Sequence, residues 1–112
     1  MTQIRYEPGK FRLTIRGHAG AGARGADIVC AGLSALGFAL MDAAEARGGK
    51  VRRDKRAALI DARLYPRDAA SAIACRAVLE TVAGGLRRIA GAWPEYVKFE
   101  EDDSVHEQYH LL

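Results

Sequence analysis

The fold is decided by residues 11–41, which read FRLTIRGHAGAGARGADIVCAGLSALGFALM. The first seven of these alternate apolar and polar side chains, the period of a half-buried β-strand. Residues 18–26 are mostly glycine and alanine and predict a mobile loop. Asp27 is a good N-cap, and residues 28–47 predict a helix that stops at the glycine pair 48–49. The chain therefore contains a strand–loop–helix unit in its first half.

The rest of the chain adds strands and a second long helix to this unit. The predicted segments are a strand at 4–6, a hairpin at 50–53 and 57–64, a helix from the N-cap Asp68 to about Ala92, and a strand at 96–101. The order β-β-α-β-β-α-β predicts an α+β fold. We expect a two-layer sandwich, with two long helices packed against a mixed, mostly antiparallel sheet of four to five strands. A sheet with one helix on each face is the alternative.

The two predicted helices differ in how their apolar residues are arranged. The first is apolar nearly all round from Ile28 to Met41, so it must be covered on more than one side, and a second subunit is the expected cover. The second has a one-sided pattern, with an apolar stripe and an outward charged face. The stripe is Cys75, Val78, Val82, Leu86 and Ile89, and the outward residues are Arg76, Glu80, Arg87 and Arg88. Gly84 and Gly85 weaken this helix by roughly 1 kcal/mol each relative to alanine, and close packing is the alternative explanation for them.

Composition limits the classes of protein to which the chain can belong. Its 112 residues are 49% hydrophobic and 28% charged, which predicts a folded chain. We expect one domain over residues 1–101 and a C-terminal tail over residues 102–112. The formal net charge of +3 permits an acidic partner such as RNA without requiring one. The chain shows no apolar signal segment and its two cysteines are far apart, so we expect a cytoplasmic protein with reduced thiols. The longest apolar run, residues 26–41, is too short to span a bilayer, so no membrane partner is expected.

One pair of residues, His18 and Cys30, carries a chemical signal. Cys30 lies in the first turn of the predicted helix, where unpaired backbone N–H groups and the helix dipole favour a negative sulfur. His18 follows the strand directly, and the glycine-rich loop can bring its ring to that sulfur. The first-turn N–H groups are also candidate donors to an oxyanion. A cysteine in an apolar helix is equally typical of a buried core, and spacing alone leaves this interpretation open.

Two neighbours of Cys30 share its side of the predicted helix. Asp27 precedes Cys30 by three residues and Ser34 follows it by four, which are the spacings of adjacent positions on a helix surface. Asp27 either orients His18 or caps the helix. Ser34 either hydrogen-bonds within the site or bonds back to its own helix.

The strings Gly17-His18-Ala19 and GADIVCAGLSAL, residues 25–36, closely resemble the ribosomal-processing cysteine protease family called Prp. The resemblance extends over most of the chain and ends with WPEYVK, residues 93–98. It implies an α/β sandwich, a homodimer and no cofactor. It also implies an endopeptidase that removes an N-terminal extension from a large-subunit ribosomal protein during ribosome assembly.

The same resemblance implies a role for each site residue. Cys30 would be the nucleophile and His18 the base, with Asp27 and Ser34 as supporting residues. A flexible substrate loop would consist of Ala19, Gly20, Ala21, Gly22, Ala23, Arg24, Gly25 and Ala26. This loop is richer in glycine than the family pattern, and the tail after Glu101 is additional.

Other signals support competing functions. The sequence His106-Glu107-Gln108-Tyr109-His110 matches the zinc-protease motif, but it lies near the C-terminus with no third ligand after it, so we expect no metal. The second hairpin is basic, with Lys50, Arg52, Arg53, Lys55 and Arg56, and contact with ribosomal RNA is a further expectation. The alternative function is a non-enzymatic phosphate- or RNA-binding, ribosome-associated module that uses the glycine-rich loop and this hairpin. We interpret Cys75 as a core residue.

Overall fold

The structure, a computed structural model, describes residues 1–23 and 27–102. The predictions for Arg24, Gly25 and Ala26 lie outside the described residues. So does the tail from residue 103 onward, with its H-E-x-x-H match.

The described residues form five strands, two long helices and one short 3-10 turn. The elements are β1 (Thr2–Glu7), a 3-10 turn (Pro8–Lys10), β2 (Arg12–Arg16), α1 (Ile28–Ala46), β3 (Lys50–Asp54), β4 (Leu59–Arg63), α2 (Ala69–Ala92) and β5 (Val97–Glu101). The strands make one sheet in the order β3-β4-β2-β1-β5. The β1–β5 pair is parallel and the other three pairs are antiparallel. The predicted α+β class with a mixed, mostly antiparallel sheet is confirmed.

Both helices pack on the same face of the sheet. The two helices contact each other, α1 lies over β3 and β4, and α2 lies over β2 and β5. Side chains of β1 and β2 that point toward the helices are buried, namely Ile4, Tyr6, Leu13 and Ile15. Those that point the other way, such as Gln3, Arg5 and Arg16, are exposed. The alternative arrangement with one helix on each face is therefore wrong.

The ends of α1 follow the local signals in the sequence. Asp27 caps its N-terminus, since the carboxylate accepts the backbone N–H of Cys30. At the other end Gly48 adopts a φ of +70°, and the Gly49 N–H donates to the Ala44 carbonyl at 2.8 Å. These bonds satisfy backbone groups that a helix end leaves free, and the positive φ suits glycine.

α1 buries one side in this chain and leaves apolar side chains on the other. The buried side consists of Val29, Leu33, Gly37, Leu40 and Ala44. Ile28 is 72% exposed and Phe38 47% exposed. Burying a leucine fully stabilises a fold by about 1.5–3 kcal/mol, so Leu33 and Leu40 both stabilise the packing of the helix on the sheet. The predicted cover for the remaining apolar side stays a prediction.

α2 buries a face slightly rotated from the predicted stripe. Its buried residues are Ala72, Cys75, Leu79, Val82, Ala83 and Leu86. Cys75, Val82 and Leu86 are as predicted, whereas Val78 and Ile89 are only half-buried. Leu79, which was not in the predicted stripe, is fully buried. The buried face is wider than predicted because α2 contacts both the sheet and α1. The predicted core position of Cys75 is confirmed.

Both helices meet the length and hydropathy that a membrane span requires. They have 19 and 24 residues, because α1 continues to Ala46, beyond the apolar run 26–41 on which the expectation rested. The core helices of a folded domain pass the same test, and here each helix buries one side against the sheet. The absence of a membrane partner stays a prediction.

Candidate active site

The position of His18 is set by Gly17, the residue between it and β2. The Gly17 N–H donates to the Ala58 carbonyl at 3.0 Å, and the Gly17 carbonyl accepts the Thr2 hydroxyl at 2.9 Å. Gly17 has a φ of +92°, and a Cβ there would lie 2.6 Å from the carbonyl oxygen of Met1. A larger residue would therefore be strained and would collide with the backbone. The N-terminus and the β3–β4 turn together fix the backbone that carries His18.

Cys30 is the third residue of α1, and its backbone is fixed by Asp27. One Asp27 oxygen accepts the Cys30 N–H at 2.9 Å, and the other accepts the Ala21 N–H at 3.0 Å. These bonds favour the ionised carboxylate, so they hold the pKa of Asp27 below its ordinary value, with the Cys30 N–H as the largest cause. Of the two roles left open by the sequence, the structure shows the cap. The Cys30 N–H is thereby engaged by Asp27, and the expectation that first-turn N–H groups serve an oxyanion stays a prediction.

Two adjoining clefts open beside these residues, and His18, Cys30, Ser34 and Lys55 line both of them. The hairpin-side cleft, about 380 Å³, has an apolar wall that includes Leu33, Phe38 and Ile60. The loop-side cleft, about 630 Å³, is bordered by Gly20, Gly22, Asp27 and Ala31. The structure therefore gathers four predicted site residues, His18, Cys30, Asp27 and Ser34, around one open region. Ala19 is buried in the core instead.

The two cysteines have different environments. Cys30 is half-buried and faces both clefts, whereas Cys75 is 5% exposed and belongs to the hydrophobic core. Burial raises the pKa of the Cys75 thiol. Because Cys30 is not among the buried core residues, the interpretation of Cys30 as a core residue is not supported.

Within the described residues, no hydrogen bond joins the Cys30 thiol, the His18 ring and the Ser34 hydroxyl. Ser34 does not bond back to its own helix, and its hydroxyl has no hydrogen-bond partner among the residues that the structure describes. The His18 ring is exposed. A thiol and an imidazole that face the same open cleft are the two groups that nucleophilic acyl transfer needs, and such pairs are often loosely arranged without substrate.

The β3–β4 hairpin contributes charges to the site that the sequence analysis did not assign to it. Lys55 lines both clefts, and Arg53 and Asp54 line the hairpin-side cleft. The Arg53 guanidinium lies 5.2 Å from the centre of the Phe38 ring, and the Asp54 carboxylate accepts the backbone N–H groups of Arg56 and Ala57. The basic hairpin was visible in the sequence. Its place beside Cys30 follows from the Gly17–Ala58 hydrogen bond, which local sequence does not reveal.

Candidate metal ligands do not cluster in the part of the chain that the structure describes. Among residues 1–23 and 27–102, no group of three or more His, Cys, Asp or Glu side chains could hold an ion.

The comparison with protein families decides the family. The model of the family described as cysteine protease Prp matches residues 1–98 of this chain. The chain belongs to the cysteine protease Prp family. Its predicted family and its predicted enzyme class, a cysteine protease, are thereby confirmed.

Solved structures share the fold of this Prp family member. A crystal structure of the essential ribosomal processing protease Prp from S. aureus with a covalently linked product peptide matches with a TM-score of 0.77 and 24% identity, over 91% of this chain and 100% of that one. SMU.848 from Streptococcus mutans matches with a TM-score of 0.69 and 25% identity, over 89% of this chain and 90% of that one. The S. aureus protease with a substrate peptide matches with a TM-score of 0.70 and 19% identity, over 91% of this chain and 100% of that one. No curated protein sequence matches the chain.

Proposed function

We propose that this Prp family member is an endopeptidase that removes an N-terminal extension from a large-subunit ribosomal protein during ribosome assembly. The observation that carries the proposal is the placing of Cys30 and His18 on the same open clefts in a chain of a cysteine protease family. The fold match to a protease described as ribosomal processing supports a ribosomal protein as the substrate class.

The chemistry runs through a thioester. The Cys30 thiolate attacks the scissile carbonyl carbon, and His18, which holds the thiol proton, gives it to the leaving amine as the C–N bond breaks. A water molecule then attacks the thioester, with His18 taking its proton, and the Cys30 sulfur leaves. Lys55 lines the same two clefts as Cys30, so its ammonium group is available to a substrate bound there.

The supporting residues act by position. Asp27 holds the first turn of α1 and, through the Ala21 N–H, the start of the loop that borders the loop-side cleft. The Ser34 hydroxyl has no hydrogen-bond partner among residues 1–23 and 27–102 and lines both clefts with Cys30, and we assign it to the substrate or the oxyanion. The substrate loop in this proposal runs from Ala19 to Ala26, and its first residue, Ala19, is buried and anchors the loop on the core.

The remaining partners are also part of the proposal. A homodimer would cover the exposed Ile28 on the outer side of α1. A ribosomal substrate in an assembling particle places the protease in the cytoplasm, with contact to ribosomal RNA. No cofactor, metal or membrane takes part.

Cleavage of a synthetic peptide tests the catalytic pair. The peptide spans the N-terminal extension and the first mature residues of the ribosomal protein from the same genome, and the product is identified by mass spectrometry. Cys30→Ser and His18→Gln should each abolish cleavage, whereas Cys75→Ala should retain it. A chelator should have no effect. Unchanged cleavage by Cys30→Ser, or no cleavage by the intact protein, would overturn the proposal.

One observation favours the second candidate function, a phosphate-binding module. Gly20, Gly22 and Lys55 border the same loop-side cleft, and glycine backbone with a lysine is a common setting for a phosphate. This candidate predicts nucleotide or RNA affinity that survives Cys30→Ala and is lost in Lys55→Met, without any peptidase activity of the intact protein.

A further inference from the structure

The sheet face opposite the helices carries a row of like charges. The register places Lys50 opposite Arg63 and Arg63 opposite Arg12, so three cations follow one another across β3, β4 and β2. Their side chains share this face, because the alternate residues Ala62 and Leu64 point into the core. Like charges directly opposite each other destabilise a sheet. An anion bound over the row would remove this repulsion.

The carboxylates of this sheet face are already paired with other cations, since Glu7, which lies opposite Arg12, pairs with Arg5 and Lys10. In the next row Asp61 lies between Arg52 and Thr14, and its two oxygens bind Arg12 at 2.9 and 2.7 Å. This leaves Lys50, Arg16, Arg52 and Arg63 without an ion pair in the part of the chain that the structure describes. The Nε atom of Arg63 is in addition buried with no hydrogen-bond partner.

An aromatic side chain stands at the edge of the same row. Tyr65 is 48% exposed, and the Arg63 guanidinium lies 5.2 Å from the centre of its ring. Proteins that bind single-stranded nucleic acid often stack an unpaired base on an exposed aromatic ring. Arginines beside the ring, free of ion pairs with the protein, then bind the flanking phosphates.

We propose that this surface, formed by Lys50, Arg16, Arg52, Arg63 and Tyr65 and here called the Tyr65 patch, binds single-stranded nucleic acid. The guanidinium and ammonium groups contact backbone phosphates, and the Tyr65 ring stacks on a base. The Tyr65 patch is separate from the clefts, since Cys30 and His18 lie on the helix side of the sheet. A nucleic acid strand and a peptide can therefore be bound at the same time. The proposal does not depend on the proposed protease activity.

Fluorescence anisotropy with labelled 20-mers of oligouridine RNA and oligothymidine DNA tests the Tyr65 patch on the intact chain. The wild-type protein should bind, and the log of its affinity should fall linearly with log salt because cations are released from the phosphates. Lys50→Met/Arg52→Met should weaken binding about tenfold or more and reduce the salt slope by about two. Tyr65→Ala should weaken binding by about fivefold or more. Tighter binding of RNA assigns the ligand to RNA, and tighter binding of DNA assigns it to DNA.

The matched control is Arg88→Met, which removes one exposed charge from α2, away from the sheet face. It should leave the affinity nearly unchanged, and all patch variants should cleave the isolated peptide as the wild type does. Equal weakening by Arg88→Met, no effect of Tyr65→Ala, or equally tight binding of polyglutamate would show non-specific attraction and overturn the proposal. Absence of binding to both oligonucleotides would overturn it as well, whatever the protein does to the peptide.

Discussion

Asp27 and Cys30 are joined by a hydrogen bond in which the Asp27 carboxylate accepts the Cys30 backbone N–H at 2.9 Å. The second Asp27 oxygen holds the Ala21 N–H, so one side chain connects the first turn of α1 to the loop that follows β2. The candidate nucleophile is thus positioned by the same group that caps its helix. A substitution of Asp27 should therefore alter both the stability of α1 and the geometry around the Cys30 sulfur.

Substitutions of Asp27 should separate its hydrogen bonds from its charge. Asparagine keeps one oxygen acceptor and is a good N-cap, so Asp27→Asn should keep the Cys30 bond and melt close to the wild type, whereas Asp27→Ala should melt lower. Circular dichroism melting curves at pH 7 measure this difference. Equal melting temperatures for the wild type and Asp27→Ala would show that the cap contributes little.

The same variants test how the stability of the protein depends on pH. The pKa of Asp27 is lower in the folded chain than its ordinary value, so its stabilising contribution is present above that ordinary value and is lost as the pH falls through the lowered pKa. Melting temperatures between about pH 2 and 5 should therefore fall more steeply in the wild type than in Asp27→Asn. Parallel curves for the two proteins would contradict this assignment. Asp61 and Asp68 also have lowered pKa values, but they are common to both proteins and cancel in the comparison.

Alkylation should distinguish the two thiols. Cys30 faces open clefts, whereas Cys75 is buried and its pKa is raised by that burial, so it forms less thiolate. Iodoacetamide at neutral pH should modify Cys30 first, and Cys75 should react only after the protein is unfolded in urea. Peptide mapping by mass spectrometry gives both rates. Similar rates for the two thiols in the folded protein would mean that Cys30 has no special accessibility or activation.

Gly84 and Gly85 of α2 should respond differently to alanine. A Cβ at Gly84 would meet nothing within 4 Å, so Gly84→Ala should gain the helix propensity of alanine, about 1 kcal/mol in the free energy of unfolding. A Cβ at Gly85 would lie 3.0 and 3.2 Å from the two terminal methyl carbons of Leu36 on α1. Gly85→Ala should therefore gain less or lose stability, because the Leu36 side chain must move by a few tenths of an ångström to make room.

Urea denaturation of the two variants measures this pair, each serving as the control for the other. Equal stabilisation by both substitutions would show that the α1–α2 contact accommodates the added methyl group without loss of stability. Close packing, one of the two explanations open from the sequence, would then fail for Gly85.

Tyr6 should make the protein sensitive to alkaline pH. Burial, followed by the hydrogen bond from its hydroxyl to Glu80, raises the pKa of Tyr6 well above its ordinary value of 10.0. A folded pKa above the unfolded one means that the contribution is complete below about pH 10 and is lost as the pH rises toward the folded value. Tyr6→Phe should lose about 1–2 kcal/mol at neutral pH and show a weaker loss of stability above pH 10.

Urea denaturation at pH 7 and at pH 10.5 tests the Tyr6 prediction, with the exposed Tyr65→Phe as its control. The control should follow the wild type at both pH values. A Tyr6→Phe variant with the alkaline sensitivity of the wild type would assign that sensitivity to another group.

Local signals in the sequence were sufficient for the element order and for the ends of α1. Asp27 and the glycine pair Gly48-Gly49 act within one turn of the helix, so their effect can be predicted without knowing the rest of the fold. The exact buried face of α2 could not be predicted in the same way. Val78 and Leu79 are adjacent and both apolar, and only the position of α1 and the sheet decides which one is fully buried.

The candidate site was predictable in part. The spacing of His18, Asp27, Cys30 and Ser34 around one strand–loop–helix unit brings them together by local geometry. Lys55 could not be assigned to the site, because its position depends on the pairing of Gly17 with Ala58 across the sheet. The choice between the two roles of Asp27 likewise required the positions of the Ala21 and Cys30 N–H groups.

The parallel pairing of the first and last strands has a consequence for biosynthesis. Thr2 lines the hairpin-side cleft and holds Gly17, and its own backbone N–H donates to the carbonyl of Tyr96, just before β5. That wall of the cleft can form only after residues 96–101 have been translated and have emerged from the ribosome. A protease that is still being made therefore lacks a finished hairpin-side cleft, and it should become competent to cut only when synthesis has passed its final strand.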